Sequence, residues 1–161
     1  MYTYSAHSIA QRATLHPILQ AACDDVLDQH DYRIEIGART PERQMDAFKG
    51  GTSKDDPSDG KYPHMTRPDG TCWAMDVTPY VDGKQLNAAL FGKDIWETCA
   101  WVYFCGMMMY ALDEHCRRHN ARNGTLFKPR WGGNWSRDAR ILDKSDRRFV
   151  DAFHFEIEER P

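Results

Sequence analysis

No stretch of this sequence reads as a membrane span. The most apolar run, Cys99 to Leu112, falls short of the ~20 residues that cross a bilayer. Asp94, Glu97, Asp113 and Glu114 bracket it, so a buried helix is expected there. The start of the chain, Met1-Tyr2-Thr3-Tyr4, lacks the basic segment and apolar core of a secretory signal; synthesis in a cytoplasm without a signal peptide is the expectation. Positive charge is not in excess. The 21 Lys and Arg stand against 24 Asp and Glu, a net charge of −3, which argues against a general nucleic-acid binder. The 5 cysteines (Cys23, Cys72, Cys99, Cys105 and Cys116) include no C-x-x-C pair, so a zinc ribbon is not indicated. Cys99 and Cys105 lie in the apolar run and Cys116 just beyond it, and all read as reduced thiols. Internal repeats and low-complexity tracts are absent.

What is present suffices for one domain spanning residues 1–161, since 41% of 161 residues are hydrophobic. From about Ser5 to His30, apolar residues recur every three or four positions and predict a helix. The alternation in Tyr32-Arg33-Ile34-Glu35-Ile36 predicts a strand. Thr40 followed by Pro41 marks a helix start, with Gly50-Gly51 as its end. Residues 52–70 form a long loop rich in Asp, Ser, Pro and Gly, expected to lie as a flap over a cleft. Further strands are predicted at residues 73–78, 127–131 and 152–157, and a long central helix over 94–119. Few strands with helices in separate blocks point to an α+β fold, a small antiparallel sheet with flanking helices.

Three stretches carry the chemistry: His64 with Asp76 twelve positions on, Asp151-Ala152-Phe153-His154, and Arg39-Thr40-Pro41-Glu42-Arg43-Gln44. Aspartate is depleted in strands, so Asp76 between Met75 and Val77 reads as a buried carboxylate that needs a partner. A catalytic zinc site takes three ligands from imidazole and carboxylate and leaves a position for water. Two histidines and one aspartate supply that set, and a separate carboxylate is then needed to move the proton. On spacing alone Asp69 is a rival ligand, although Pro68-Asp69-Gly70 also reads as a plain turn.

These motifs resemble the D-Ala-D-Ala carboxypeptidase and L-alanyl-D-glutamate endopeptidase family of zinc peptidases, in its phage endolysin-like branch. His64 and Ala74-Met75-Asp76 are similar to that family's H…A-x-D motif, and Asp151-Ala152-Phe153-His154 to its closing acid-x-x-H pair. Trp131-Gly132-Gly133-Asn134-Trp135 resembles a W-G-G-x-W segment, and the run from Gly37 to Gln44 a G-x-R-[ST]-x-x-x-Q segment. The family's spacing from His to Asp is shorter, a departure that an insertion over residues 66–70 accounts for. The resemblance implies the zinc fold shared by these peptidases and hedgehog-type signalling domains. It implies Zn2+ on His64, Asp76 and His154, Asp151 as general base, and Arg39 as a clamp on a carboxylate or oxyanion. Gln44 and Trp131 are implied to contact substrate, with Trp135 beside Trp131 in a groove wall; a core position serves Trp131 equally well. Glu156 reads as a solvated or supporting residue.

The implied function is hydrolysis of peptidoglycan stem peptides at the L-Ala–D-Glu bond, by a monomer reaching the cell wall after holin-type release. No nucleic-acid or membrane partner is expected. A D-Ala-D-Ala carboxypeptidase or dipeptidase, and a non-catalytic zinc-fold binding module, are the alternatives. Aspartate at position 151 favours the first, and retention of Asp151 beside the ligands speaks against the last.

Overall fold

The computed structural model describes residues 1–87, 90–134 and 151–160. Two short helices open it, α1 (Ala6–Arg12) and α2 (Pro17–Leu27). The single helix expected from Ser5 to His30 is therefore broken. Pro17 is the cause: His16 before it is extended at ψ 145°, as the pyrrolidine ring requires, and its ring nitrogen caps α2 by accepting from the Ile18 amide. The break is used, because the amide of Cys72 donates to the Thr14 carbonyl and that of His16 to the Cys72 carbonyl.

Strand β1 (Tyr32–Ile36) and helix α3 (Pro41–Lys49) follow where the sequence predicts them, and the Thr40 hydroxyl accepts from the Arg43 amide as the N-cap. Strands β2 (Ala74–Val81) and β3 (Lys84–Gln85) form a hairpin. Its two turn residues, Asp82 at φ 50° and Gly83 at φ 72°, take the left-handed backbone that a tight hairpin turn requires. Helix α4 (Ile95–Asn123) is capped by Asp94 and stopped by Gly124 in the left-handed region. Strands β4 (Phe127–Trp131) and β5 (His154–Glu159) complete the sheet.

The sheet runs β1-β2-β5-β4 with every pairing antiparallel, and β3 hangs on β2. This is the α+β architecture expected. Helices α2 and α4 pack together, α4 lies against β4 and β2, and α1 against β1. Leu19, Ile34, Met75, Trp101, Phe104 and Phe155 are wholly buried at that junction. Each side chain of this kind stabilises the fold by roughly 1.5–3 kcal/mol. Helix α4 is not buried all round: Trp96, Tyr103 and Tyr110 on its outer side are exposed. Among the described residues no helix is long and apolar enough to cross a membrane.

Candidate metal centre and active site

The central strands bring the chemistry together. Asp76 on β2 pairs across the ladder with His154, the first residue of β5. On the other side of β2 a register shift between Ile34 and Ile36 sets Ile36 opposite Asp76. Bulges of this kind re-aim side chains beside functional sites. His64 comes from the loop, held by its own carbonyl, which accepts from the Arg39 amide at 2.8 Å. Asp76 Oδ1 lies 3.1 Å from His64 Nε2 and 2.9 Å from His154 Nδ1. The ligand atoms of these three buried residues all fall within 4.8 Å of one another, so the group can hold a metal ion. Asp69 is not part of it. Its carboxylate closes the 66–72 hairpin, accepting from the Thr71 amide and hydroxyl and from the Trp73 indole.

Each imidazole is anchored by its other nitrogen. His64 Nδ1 meets the Gly37 carbonyl at 2.8 Å, and a carbonyl only accepts, so Nδ1 carries the hydrogen and Nε2 faces the cluster. His154 Nε2 faces Glu156 Oε2 at 3.4 Å, which leaves Nδ1 toward Asp76. Partners of this kind fix the tautomer and orientation of metal-binding histidines. The electrostatics agree. Burial opposes charge on His64, but Asp76 outweighs it and lifts the imidazole to about 9. Burial likewise opposes charge on His154, and Asp76 with Glu156 takes it to about 10. Burial alone would raise the carboxyl of Asp76, yet the two imidazoles hold it well below the usual carboxylate range. A metal ion would have to displace those protons, and two nitrogens with one carboxylate oxygen fit a zinc ion with a position open.

A cleft of about 320 Å³ opens over the cluster, lined by Arg39, Gln44, Asp151, Phe153 and residues 52–55 among others. Asp151 sits in the turn before β5, where the Gly132 carbonyl accepts its amide and its own carbonyl accepts from the His154 amide. Its Oδ1 is buried without a hydrogen-bond partner among the described residues. Burial first, and the nearby Asp76 charge second, raise its carboxyl to about 6. Arg39 follows β1 and caps one side of the cluster, its Nη2 3.8 Å from Asp76 Oδ2. Its Nη1 donates to Gln44 Oε1 at 2.7 Å. Gln44 is 1% exposed, and its amide nitrogen donates to Ser53 Oγ and the Asp55 carbonyl. Part of the expected flap is thus tied down as a cleft wall.

Trp131, expected in the groove wall or in the core, is in the core and does not line the cleft. It stacks on Phe155 with ring centroids 6.4 Å apart, and its indole donates to the Ala152 carbonyl. There it supports the turn that carries Asp151. Trp135 lies outside the described residues. Arg130 was not singled out from sequence. It lines the cleft and its Nε lies 2.6 Å from Glu156 Oε1, behind His154. The signal was a cross-strand one, Arg130 opposite Glu156, visible only once the β4–β5 register is known.

No family model matches the sequence, and no curated protein matches it. Among solved structures, the crystal structure of Serratia marcescens L-Ala D-Glu endopeptidase ChiX matches with a TM-score of 0.58. The match covers 96% of this chain and 89% of that chain at 18% identity. At that identity the likeness establishes the shared fold.

Proposed function

We propose, from a fold shared with an L-Ala D-Glu endopeptidase, that this chain is a zinc-dependent peptidase of peptidoglycan stem peptides, cutting the L-Ala–D-Glu bond. One observation carries the reading: two buried imidazoles anchored from behind and one carboxylate converge beside Asp151, whose Oδ1 is buried without a hydrogen-bond partner among the described residues. His64, Asp76 and His154 would hold the zinc, which supplies the Lewis acidity that activates water and polarises a scissile carbonyl. Asp151 would accept the proton of the attacking water and deliver it to the leaving amine, and the zinc's charge would favour its ionised, proton-accepting form. Arg39, held by Gln44, faces the charge that develops on the carbonyl oxygen.

The test is digestion of purified peptidoglycan by zinc-loaded and chelated protein, read by fragment mass. Fragments ending in L-Ala with new D-Glu amino termini support the reading. Release of terminal D-Ala instead assigns the same cleft to a carboxypeptidase or dipeptidase, and intact sacculi in both arms overturn catalysis in favour of a binding module.

A further inference from the structure

A second hollow, of about 450 Å³, adjoins the cleft, and Pro63 and Arg130 line both. The two are joined along β5. His154, Glu156 and Glu158 alternate onto one face of that strand, so the line from the metal cluster leads through Glu156 to the hollow's floor. Two strand residues advance ~7 Å, and two residues of an extended peptide cover about the same distance. A peptide whose scissile bond sits at His154 therefore places a neighbouring residue in the hollow.

The charges there are of both signs, and some are unspent. Glu158 pairs with Arg160 and Arg130. Lys61, Arg67 and Glu159 also line the hollow, and among the described residues they form no ion pair. Arg67 is pre-positioned: its guanidinium lies over the Trp73 ring at 5.3 Å, and the Trp73 indole is fixed by Asp69 at 3.0 Å. Its Nε is nonetheless buried without an acceptor among the described residues. An apolar ligand residue would leave that donor unsatisfied, at a cost. A simple cation would meet Lys61 and Arg67, and a simple anion would meet Glu158 and Glu159. A side chain bearing an ammonium and a carboxylate together answers both, its carboxylate toward Arg67 and Lys61, its ammonium toward Glu159.

Resting on the peptidase reading above, we infer that this hollow is a specificity subsite for the diamino acid of the stem peptide. It takes diaminopimelate, which carries both charges, in preference to lysine, which carries the ammonium alone.

Calorimetric binding of two product dipeptides, γ-D-Glu-meso-diaminopimelate and γ-D-Glu-L-Lys, tests this directly, because neither holds the bond to be cut. The diaminopimelate form binds about tenfold more tightly or better, the scale of one hydrogen bond to a charged group. Arg67→Gln removes the preference without changing the melting temperature, and Glu159→Gln weakens both dipeptides. Equal affinities, no binding of either dipeptide, or a preference that survives Arg67→Gln overturns the subsite. Cleavage of the corresponding stem tripeptides separates the two readings. Discrimination between dipeptides without any cleavage refutes the peptidase and keeps the subsite; cleavage without discrimination does the reverse.

Discussion

Gln44 is the fixed end of Arg39: its Oε1 receives the guanidinium at 2.7 Å, while its amide nitrogen pins Ser53 and Asp55. One buried side chain thus sets both the cation over the cluster and the wall of the cleft. Gln44→Glu keeps the acceptor and loses both donated bonds. It should destabilise the fold by about 2 kcal/mol, the scale of buried groups left unpaired, and lower kcat while zinc content stays stoichiometric. Urea unfolding, elemental analysis and stem-peptide kinetics check the three outcomes. Unchanged stability with unchanged kcat would show that Gln44 positions nothing.

Asp151→Asn keeps the size of the side chain and removes its basicity. Zinc binding and the melting temperature should hold, and hydrolysis should fall by ~10²–10⁴, the usual scale for general acid–base catalysis. Loss of zinc along with activity would make Asp151 a ligand instead.

His154→Ala should abolish stoichiometric zinc, because it removes one of the three proposed ligands. Glu156→Gln leaves the ligands in place and weakens the grip on His154 Nε2 and on Arg130. Zinc affinity should drop by ~10–100-fold with binding still measurable, as for partners that orient a metal-binding imidazole. Competition with a chelator of known affinity reads both variants. Equal affinity in Glu156→Gln and wild type would rule out the anchoring role.

The cap of α2 supplies a pH dependence away from the metal. Burial, and then the neighbouring His119, hold His16 below its ordinary value of 6.5. Its neutral Nδ1 accepts the Ile18 amide, which a protonated ring cannot do. The unfolded chain therefore takes up this proton more readily than the folded one. The stability from His16 is complete above about 6.5 and is lost as pH falls through the lower folded value. His16→Asn retains a capping oxygen and does not titrate. Melting curves from pH 7.5 to 5 should show the wild type losing more stability than the variant. Parallel curves would remove His16 from the acid response.

The parts of this molecule that rest on local chemistry are legible in its sequence. Thr40 and Pro41 announce a helix by what a first turn requires, and Asp76 betrays itself as an acid where strands rarely carry one. His64 and His154 were legible through the motifs around them. What escaped depends on pairings made in space. Nothing near Trp131 tells which way its ring turns, and only its stacking on Phe155 puts it inside. Gln44 was placed at the site, but its burial and its grip on the 52–55 loop need the loop's path. Arg130 meets Glu156 across a register that no single strand contains. Pro17 breaks a helix that the apolar period alone would carry straight through.

Gly37 couples the first helix to His64. Its carbonyl anchors His64, its amide is held by the Gln11 side chain, and a β-carbon at this position would collide with Thr14 and the Gln11 carbonyl. The first helix therefore tunes the proposed metal site through one intervening residue. Trimming the chain back to Thr14, or wedging a methyl group in with Gly37→Ala, would loosen an imidazole without touching a single ligand. Zinc retention would then report on how well the N-terminal helix is seated, long before the fold itself gave way.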